Sequence, residues 1–588
     1  MARNTGGNRG DVRQSALWGS GNRGGEFRSN ALWGKGGRGL VTTVVAFALA
    51  VPLAAGASGG SGKNPVASGG GSHVSQQLKD KAKQNPNELV SVIITSDAGS
   101  AGAQRAAKAI AKLGRKLELI GGVVAELRAK DVEKLERIPG LVVTLDAPVK
   151  KSGLIGGTST STTSTSTQLW THETGVNKLW GGPQAPAIAI VDSGIDTSHP
   201  SFVGNRVVAR QVFGSSSSGT LDGRGHGTFV ASIAAGNAAG YAGAAPNAPL
   251  IDLDVMDDNG VGRTSDVIAA AEWIYQNRVA HNIRVANFSL HSGAVNHFWL
   301  DPLNVAVEKL WFSGVVVVAA AGNYGNADGT PSGVRHAPGS DPFVITVGSV
   351  DIGGTAGIGN DSRPAFSAYG RTPDGFWKPE ICAPGRYMVG AIPMGSTLAA
   401  LKADKIKATG WIELSGTSFA APVISGLAAQ ILARTPGLTP DQVKGNVMRR
   451  SRPVPKGEPM SCGVGQINGT RSALFDGAAN PNAALSGFVK PGVDGTPVFD
   501  AVSWTDVSWS DVSWDSVSWS DVSWTDVSWS DVSWSDVSWE DNAEGEPTLP
   551  TDGYELTETE AADAATDPDL LTPEEAAALL SATATLVP

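Results

Sequence analysis

"APAIAIVD", residues 185–192, runs through β-forming apolar residues without a polar break until its closing Asp192. A strand with one wet face would alternate, so an unbroken run of this kind is expected of a strand buried on both faces. Four more stretches read the same way: "PLIDLDVMD" from Pro249, "IRVANFSL" from Ile283, "GVVVVAAAG" from Gly314 and "PFVITVGSV" from Pro342. Between and after them lie "HGTFVASIAAG", "SDVIAAAEWIYQNR" and "SFAAPVISGLAAQILART", all with helical spacing. The pattern predicts an α/β domain over residues 169–488, with a mostly parallel sheet and helices on both faces. Ligands of such sheets sit beyond the carboxyl ends of the strands, which draws the eye to Asp192 and to Asn323, just after "VVVVAAAG".

Three words of this domain carry nucleophile chemistry. Asp192 stands in "IVDSGIDTSHP", His226 in "DGRGHGTFVASIAAG" and Ser418 in "LSGTSFAAPVISG", residues 414–426. Alone, each has a plain reading: a turn Asp, a solvated His, a Ser capping a helix. The small residues around Ser418 could serve close packing, or could admit a substrate to a hydroxyl at a helix N-terminus, where negative charge is favoured. Taken together, a carboxylate that fixes an imidazole tautomer, an imidazole that takes a proton and a hydroxyl that attacks a carbonyl make one reaction.

In this order, Asp then His then Ser, the words resemble the triad motifs of the subtilisin-like serine proteases. The resemblance implies further roles. "AAAGNYG" is similar to the family's oxyanion segment, with Asn323 as side-chain donor beside the Ser418 N–H. "DDNGVGRTSD" resembles one edge of the peptide cleft, through Gly260, Val261 and Gly262, and "NFSLHSG" the opposite edge, from Ser289 and Leu290 to Gly293. Ala320, Ala321 and Gly322 fall on one wall of the pocket for the residue before the scissile bond, and His336 near its base. His336 either narrows that pocket or turns outward.

The chain also departs from the pattern. His291 replaces the usual Gly of the second edge, and Ser201 stands where relatives often carry a calcium-binding Asp after "SHP". The loop "GNAAGYAGAAP", from Gly236, is short for the family's calcium loop. No metal or other cofactor is expected to be required, with calcium elsewhere in the domain as the alternative, and the acidic "DLDVMDD" stretch from Asp252 reads as a strand end and polar turn before it reads as a calcium site. Cys382 in "KPEICAPG" and Cys462 in "CGVGQING" occupy structural words of the family, which favours their proximity and one disulfide.

Working outward, residues 1–57 combine a long basic leader with the apolar "LVTTVVAFALAVPLAAGA" and read as a secretory signal, with an uncleaved anchor as the alternative. Residues 58–85 read as a Gly/Ser linker. Over residues 86–150 the order βαββαβ predicts a small ferredoxin-like domain, with one helix from Ala101 to Leu113. The family resemblance makes it an inhibitory pro-domain whose last strand lies in the cleft until self-cleavage, within the Ser/Thr-rich segment 151–168.

Beyond the catalytic domain, residues 489–540 hold a "VSWSD"-like repeat of period five with Trp at 504, 509, 514, 519, 524, 529, 534 and 539. Neither a strand nor a helix puts such a period on one face. The array either packs, as a solenoid or on the catalytic domain, or binds a surface partner. No Lys or Arg follows Lys490 while 22 acidic residues do, so the net charge of −10 belongs to this end of the chain, and residues 541–588 read as a solvated acidic tail. That balance argues against nucleic acid binding.

The expected function is a secreted, self-processing serine endopeptidase acting on proteins or peptides. The alternative is a non-catalytic surface-binding protein using the Trp array. A lipase-like hydrolase is disfavoured, because no G-x-S-x-G elbow surrounds Ser418.

Overall fold

The structure is a computed structural model that describes residues 72–151, 168–214, 221–474, 479–492 and 496–505. The expectations for the leader, the segment 152–167, the seven later Trp of the array and the acidic tail fall outside these residues.

The N-terminal unit comprises β1 (His73–Val74), α1 (Gln76–Gln84), β2 (Leu89–Ser96), α2 (Gly99–Ala107), β3 (Lys112–Leu117), β4 (Gly122–Arg128), α3 (Val132–Glu136) and β5 (Leu141–Leu145). Its mixed sheet has the order β1-β5-β2-β4-β3, antiparallel except for the parallel pair β1–β5. Val92 and Ile94 of β2 meet Val123 and Leu127 of β4, with Leu78 and Leu135 of the helices, in a core of its own.

Two expectations are corrected here. The second half of the predicted linker 58–85 is ordered structure, because Val74 and Leu78 supply apolar anchors that the Gly/Ser-rich composition around them hides. The helix expected to run to Leu113 stops at Ala107, since Lys112, Leu113, Lys116 and Leu117 pair with β4. That ladder outweighs a weak helix preference.

The strand β6 (Pro148–Lys151) then leaves this unit. The larger domain is built on β7 (Ala187–Asp192), β8 (Val207–Val212), α4 (His226–Ala235), β9 (Leu250–Asp254), β10 (Val261–Arg263), α5 (Thr264–Asn277), β11 (Ile283–Phe288), β12 (Leu290–Ser292), α6 (Pro302–Phe312), β13 (Val316–Ala320), β14 (Ile345–Val350), β15 (Ile381–Pro384), α7 (Thr417–Arg434) and α8 (Pro440–Arg449). Seven strands form one parallel sheet in the order β15-β14-β13-β11-β7-β9-β8. Every residue of β7, β9, β13 and β14 is buried, as the unbroken apolar runs required. The helices pack in pairs, α4 with α7 and α5 with α6, so the sheet's apolar rows and the helices' small residues form one continuous core. Cys382 and Cys462 are joined in a disulfide, with Cα atoms 5.1 Å apart.

A buried ionic knot holds the loop that enters β14. Lys444, on α8, is 2% exposed, and its Nζ reaches the carbonyls of Pro342, Phe343 and Val344 at 2.9–3.1 Å, Glu380 Oε1 at 2.8 Å and Asn482 Oδ1 at 3.2 Å. Lys378 shares Glu380 Oε1 at 2.6 Å, and burial pushes the Lys378 pKa down to about 8 against the pull of Glu380. Removing one partner of such a network leaves the others desolvated and unpaired. Lys444→Met is therefore expected to lower stability by about 3–5 kcal/mol, read as a shifted denaturant midpoint.

Candidate active site

Asp192 closes β7 and His226 opens α4, so the parallel topology alone brings them to the same edge of the sheet. His226 Nδ1 lies 2.7 Å from Asp192 Oδ1, and the same oxygen accepts the Ser193 N–H at 2.8 Å. Both side chains are buried. The carboxylate holds the proton on Nδ1 and leaves the lone pair on Nε2. Among the described residues Nε2 has no hydrogen-bond partner. The close approach depends on Gly227, where a Cβ would stand 2.1 Å from the Gly194 carbonyl oxygen.

Asp222 braces this corner. It accepts from Ser193 Oγ, Gly225 N–H, Thr228 N–H and Thr228 Oγ at 2.6–2.9 Å. Burial pushes its pKa up to about 7, against donors that favour the ionised form.

Ser418 sits in the first turn of α7, where peptide N–H groups lack intrahelical partners. Its hydroxyl donates to the Ser289 carbonyl at 3.1 Å, and Ser289 Oγ donates back to the Ser418 carbonyl at 2.8 Å. The next residue, Phe419, places its ring centroid 5.5 Å from that of His226. The buried Asn287 donates to Ser289 Oγ at 2.8 Å and accepts from Ser425 Oγ at 2.9 Å, fastening the end of β11 to α7. Asn323 Oδ1 accepts from the Thr417 N–H at 2.8 Å and Thr417 Oγ1 at 2.9 Å, while Thr417 Oγ1 accepts the Gly322 N–H at 3.1 Å. With its oxygen committed to Thr417, the Asn323 amide turns its nitrogen, a donor, the other way.

Sequence reasoning missed Asn287, Thr417 and Asp222. Asn287 alone left a signal, as a polar residue inside the apolar run of β11.

The expected cleft edges meet around one strand. β6 lies between β10 and β12, antiparallel to both. Val261, Gly262 and Arg263 face Lys150, Val149 and Pro148; Leu290, His291 and Ser292 face Lys151, Lys150 and Val149. Val149 is fully buried, whereas Pro148 and Lys150 are exposed. Gly260 takes a φ of +79° in the turn that leads into β10. Just upstream of β6, Asp146 accepts from the Ser265 N–H at 2.9 Å and Ser265 Oγ at 3.0 Å, capping α5 from the other unit. Ala147 O accepts the Thr264 N–H at 3.0 Å.

The residues expected to line the pocket also converge. Ala320 and Ala321 are buried, and a Cβ at Gly339 would stand 2.8 Å from the Ala320 carbonyl oxygen. Gly322 has φ +107°, with the Tyr324 ring against its Cα. His336 turns inward: it is 6% exposed, with Nδ1 3.4 Å from the Ala294 carbonyl. Its ring centroid lies 4.9 Å from that of His291 and 5.4 Å from that of Tyr324. Burial lowers the His336 pKa to about 4, and burial together with His336 lowers that of His291. His291 thus packs against His336, the residue expected at the pocket base.

Ser201, in the position relatives use for calcium, is buried and bears a hydroxyl instead of a carboxylate. Among the described residues no three His, Cys, Asp or Glu side chains gather as a metal site, and no helix is long and apolar enough to cross a membrane.

Residues 184–465 match the sequence model of the subtilase family. The chain is 34% identical over 294 residues to serine protease AprX of Bacillus subtilis (strain 168), a match covering 48% of this chain and 65% of that protein. It is 33% identical over 283 residues to subtilisin DY of Bacillus licheniformis, covering 48% of this chain and 88% of that protein. The crystal structure of fervidolysin from Fervidobacterium pennivorans superimposes with a TM-score of 0.53 at 20% identity, over 71% of this chain and 63% of that one, a likeness of fold.

His336→Ala should enlarge the pocket and raise the preference for Phe over Ala before the scissile bond by about tenfold or more, measured as a ratio of kcat/KM values. The same variant tests a pH effect. His336 takes a proton near pH 6.5 when unfolded but near 4 when folded, so its contribution to stability is complete above 6.5 and is lost as pH falls towards 4. Unfolding midpoints of His336→Ala should therefore fall less than those of the wild type across that window.

Proposed function

The chain belongs to the subtilase family, whose members are subtilisin-like serine endopeptidases, and on that premise we propose that it is a secreted, self-processing precursor of such an enzyme. Asp192 orients His226, and His226 Nε2 takes the Ser418 proton as Oγ attacks a peptide carbonyl carbon. The bond to the leaving nitrogen then breaks, and His226 returns the proton to that amine. Water repeats the sequence on the acyl-serine. The Asn323 amide nitrogen and the Ser418 N–H receive the oxyanion. These steps require no cofactor.

The observation that carries the precursor reading is β6, a strand of the chain's own N-terminal unit paired with both cleft edges. Substrate binding of this kind adds a strand through main-chain hydrogen bonds, with alternate side chains entering pockets. β6 occupies that place with Val149 inward, so the N-terminal unit is a ferredoxin-like inhibitory pro-domain. The Asp146 cap on α5 and the ion pair from Arg115 to Asp266, at 2.9 Å, hold it there. The chain is cut between Lys150 and Gln168, and its apolar leader directs export. Protein or peptide substrates replace β6 after the pro-domain leaves.

Two experiments test this reading. Ser418→Ala should accumulate uncut precursor, and normal maturation of that variant would contradict self-processing. Asp146→Ala removes acceptors from Ser265 and Ser91, and a lost buried partner of this kind costs about 1–3 kcal/mol. The time from cleavage to full activity should shorten accordingly.

A further inference from the structure

The family match ends at residue 465, yet the chain continues on the surface of the domain. Val489–Pro491 and Pro497–Phe499 pair as an antiparallel hairpin, followed by a short helix from Ala501 to Thr505. The segment is tied down at several points. Lys309 of α6 donates to Thr496 Oγ1 at 3.2 Å, the Asp500 N–H donates to the Phe488 carbonyl at 2.7 Å, and Lys490 binds both Asp500 and Ser503.

At its end stands Trp504, the first tryptophan of the period-five array, only 9% exposed. Four phenylalanines surround it: Phe488 at 5.2 Å between ring centroids, Phe499 at 5.7 Å, Phe376 at 5.8 Å and Phe298 at 6.0 Å. Phe376 is stacked; Phe488 and Phe298 meet the indole edge-on.

Two of these contacts lead to the cleft. Phe298 belongs to the segment that follows β12. There the Ser292 N–H donates to the Ala337 carbonyl at 2.8 Å, the Ala294 carbonyl faces His336, and Asp374 clamps the Phe298 N–H and His297 at 2.7–2.8 Å. Phe499 lies 5.0 Å from Phe298 and 5.9 Å from Phe343, which ends the loop begun by His336 and pinned by Lys444. One aromatic cluster therefore stands behind both the β12 edge and the base of the pocket.

We propose that Trp504 is a positioning residue for the substrate cleft, acting through Phe298 and Phe499 on the segments that carry His291 and His336. The first unit of the tryptophan array is thus part of the enzyme rather than of an appendage. The proposal rests on the protease reading above. Loss of the indole removes a large buried surface from beneath two walls whose spacing sets substrate binding, while Asp192, His226 and Ser418 lie on other elements.

The test uses the matured full chain with an Ala-ending peptide p-nitroanilide, counting active sites by the burst from a p-nitrophenyl ester. Trp504→Ala is expected to raise KM by about tenfold with kcat per titrated site within about twofold, and Trp504→Phe to restore most of the loss. If Trp504→Ala is not recovered folded, Phe376→Leu, which loosens the stack from outside both walls, should raise KM in the same direction. A lowered melting temperature with unchanged KM in these variants would overturn the proposal. Absence of a burst in the wild type would instead overturn the protease reading itself.

Discussion

An unpaired strand edge carries N–H and C=O groups that must find a partner or face water, and this domain places two such edges opposite each other. β10 and β12 are one strand's width apart, and each is too short to be stable alone. Their spacing is kept from behind. Arg263 runs directly into α5, and the buried Asn287 and Ser289 tie the approach to β12 onto α7. Because α7 starts at Thr417, the bonds that define the cleft's second edge also define where Ser418 stands. Ser418 and the second strand edge share one set of supports.

Within that frame the electrostatics follow from burial. The Asp192 to His226 bond settles the imidazole tautomer, and the Thr417 to Asn323 bonds settle the amide orientation. Asp222, buried under four donors, stiffens the turn between Asp192 and His226 without reaching the reaction. The chain's own strand β6 lies between the two edges and Asp146 caps a helix of the larger domain, so the N-terminal unit covers a helix end as well as a pair of strand edges.

Much of this was legible in the sequence, where one local rule was enough. Strands buried on both faces write themselves as unbroken apolar runs, and the ends of those runs located Asp192 and Asn323. The roles expected of His226 and Ser418 came from the resemblance of their words to a family pattern, since the small residues beside Ser418 read equally well as close packing. What stayed hidden depends on distant partners. His336 turns inward because His291 and Tyr324 receive it, and neither is near it in the chain. Thr417 and Asn287 are ordinary residue types whose significance lies in the angle they fix elsewhere. The strand β1 and helix α1 were masked by Gly/Ser-rich composition, and the first two residues of β3, Lys112 and Leu113, were read as the end of a helix because only their ladder with β4 decides them. Trp504 stood out as the start of a repeat, but its phenylalanine neighbours are scattered between residues 298 and 499.

On the proposed reading, the hydroxyl at the N-terminus of α7 is an activated nucleophile facing a cleft first filled by the chain's own strand. Mass spectrometry of the purified full chain after exposure to a fluorophosphonate probe tests this reading, because it maps the modified residue and any new N-terminus in one experiment. The expected result is one probe per chain, on Ser418, in molecules that begin between Lys151 and Gln168. A folded chain with that new N-terminus that takes up no probe, or takes it elsewhere than Ser418, would contradict it.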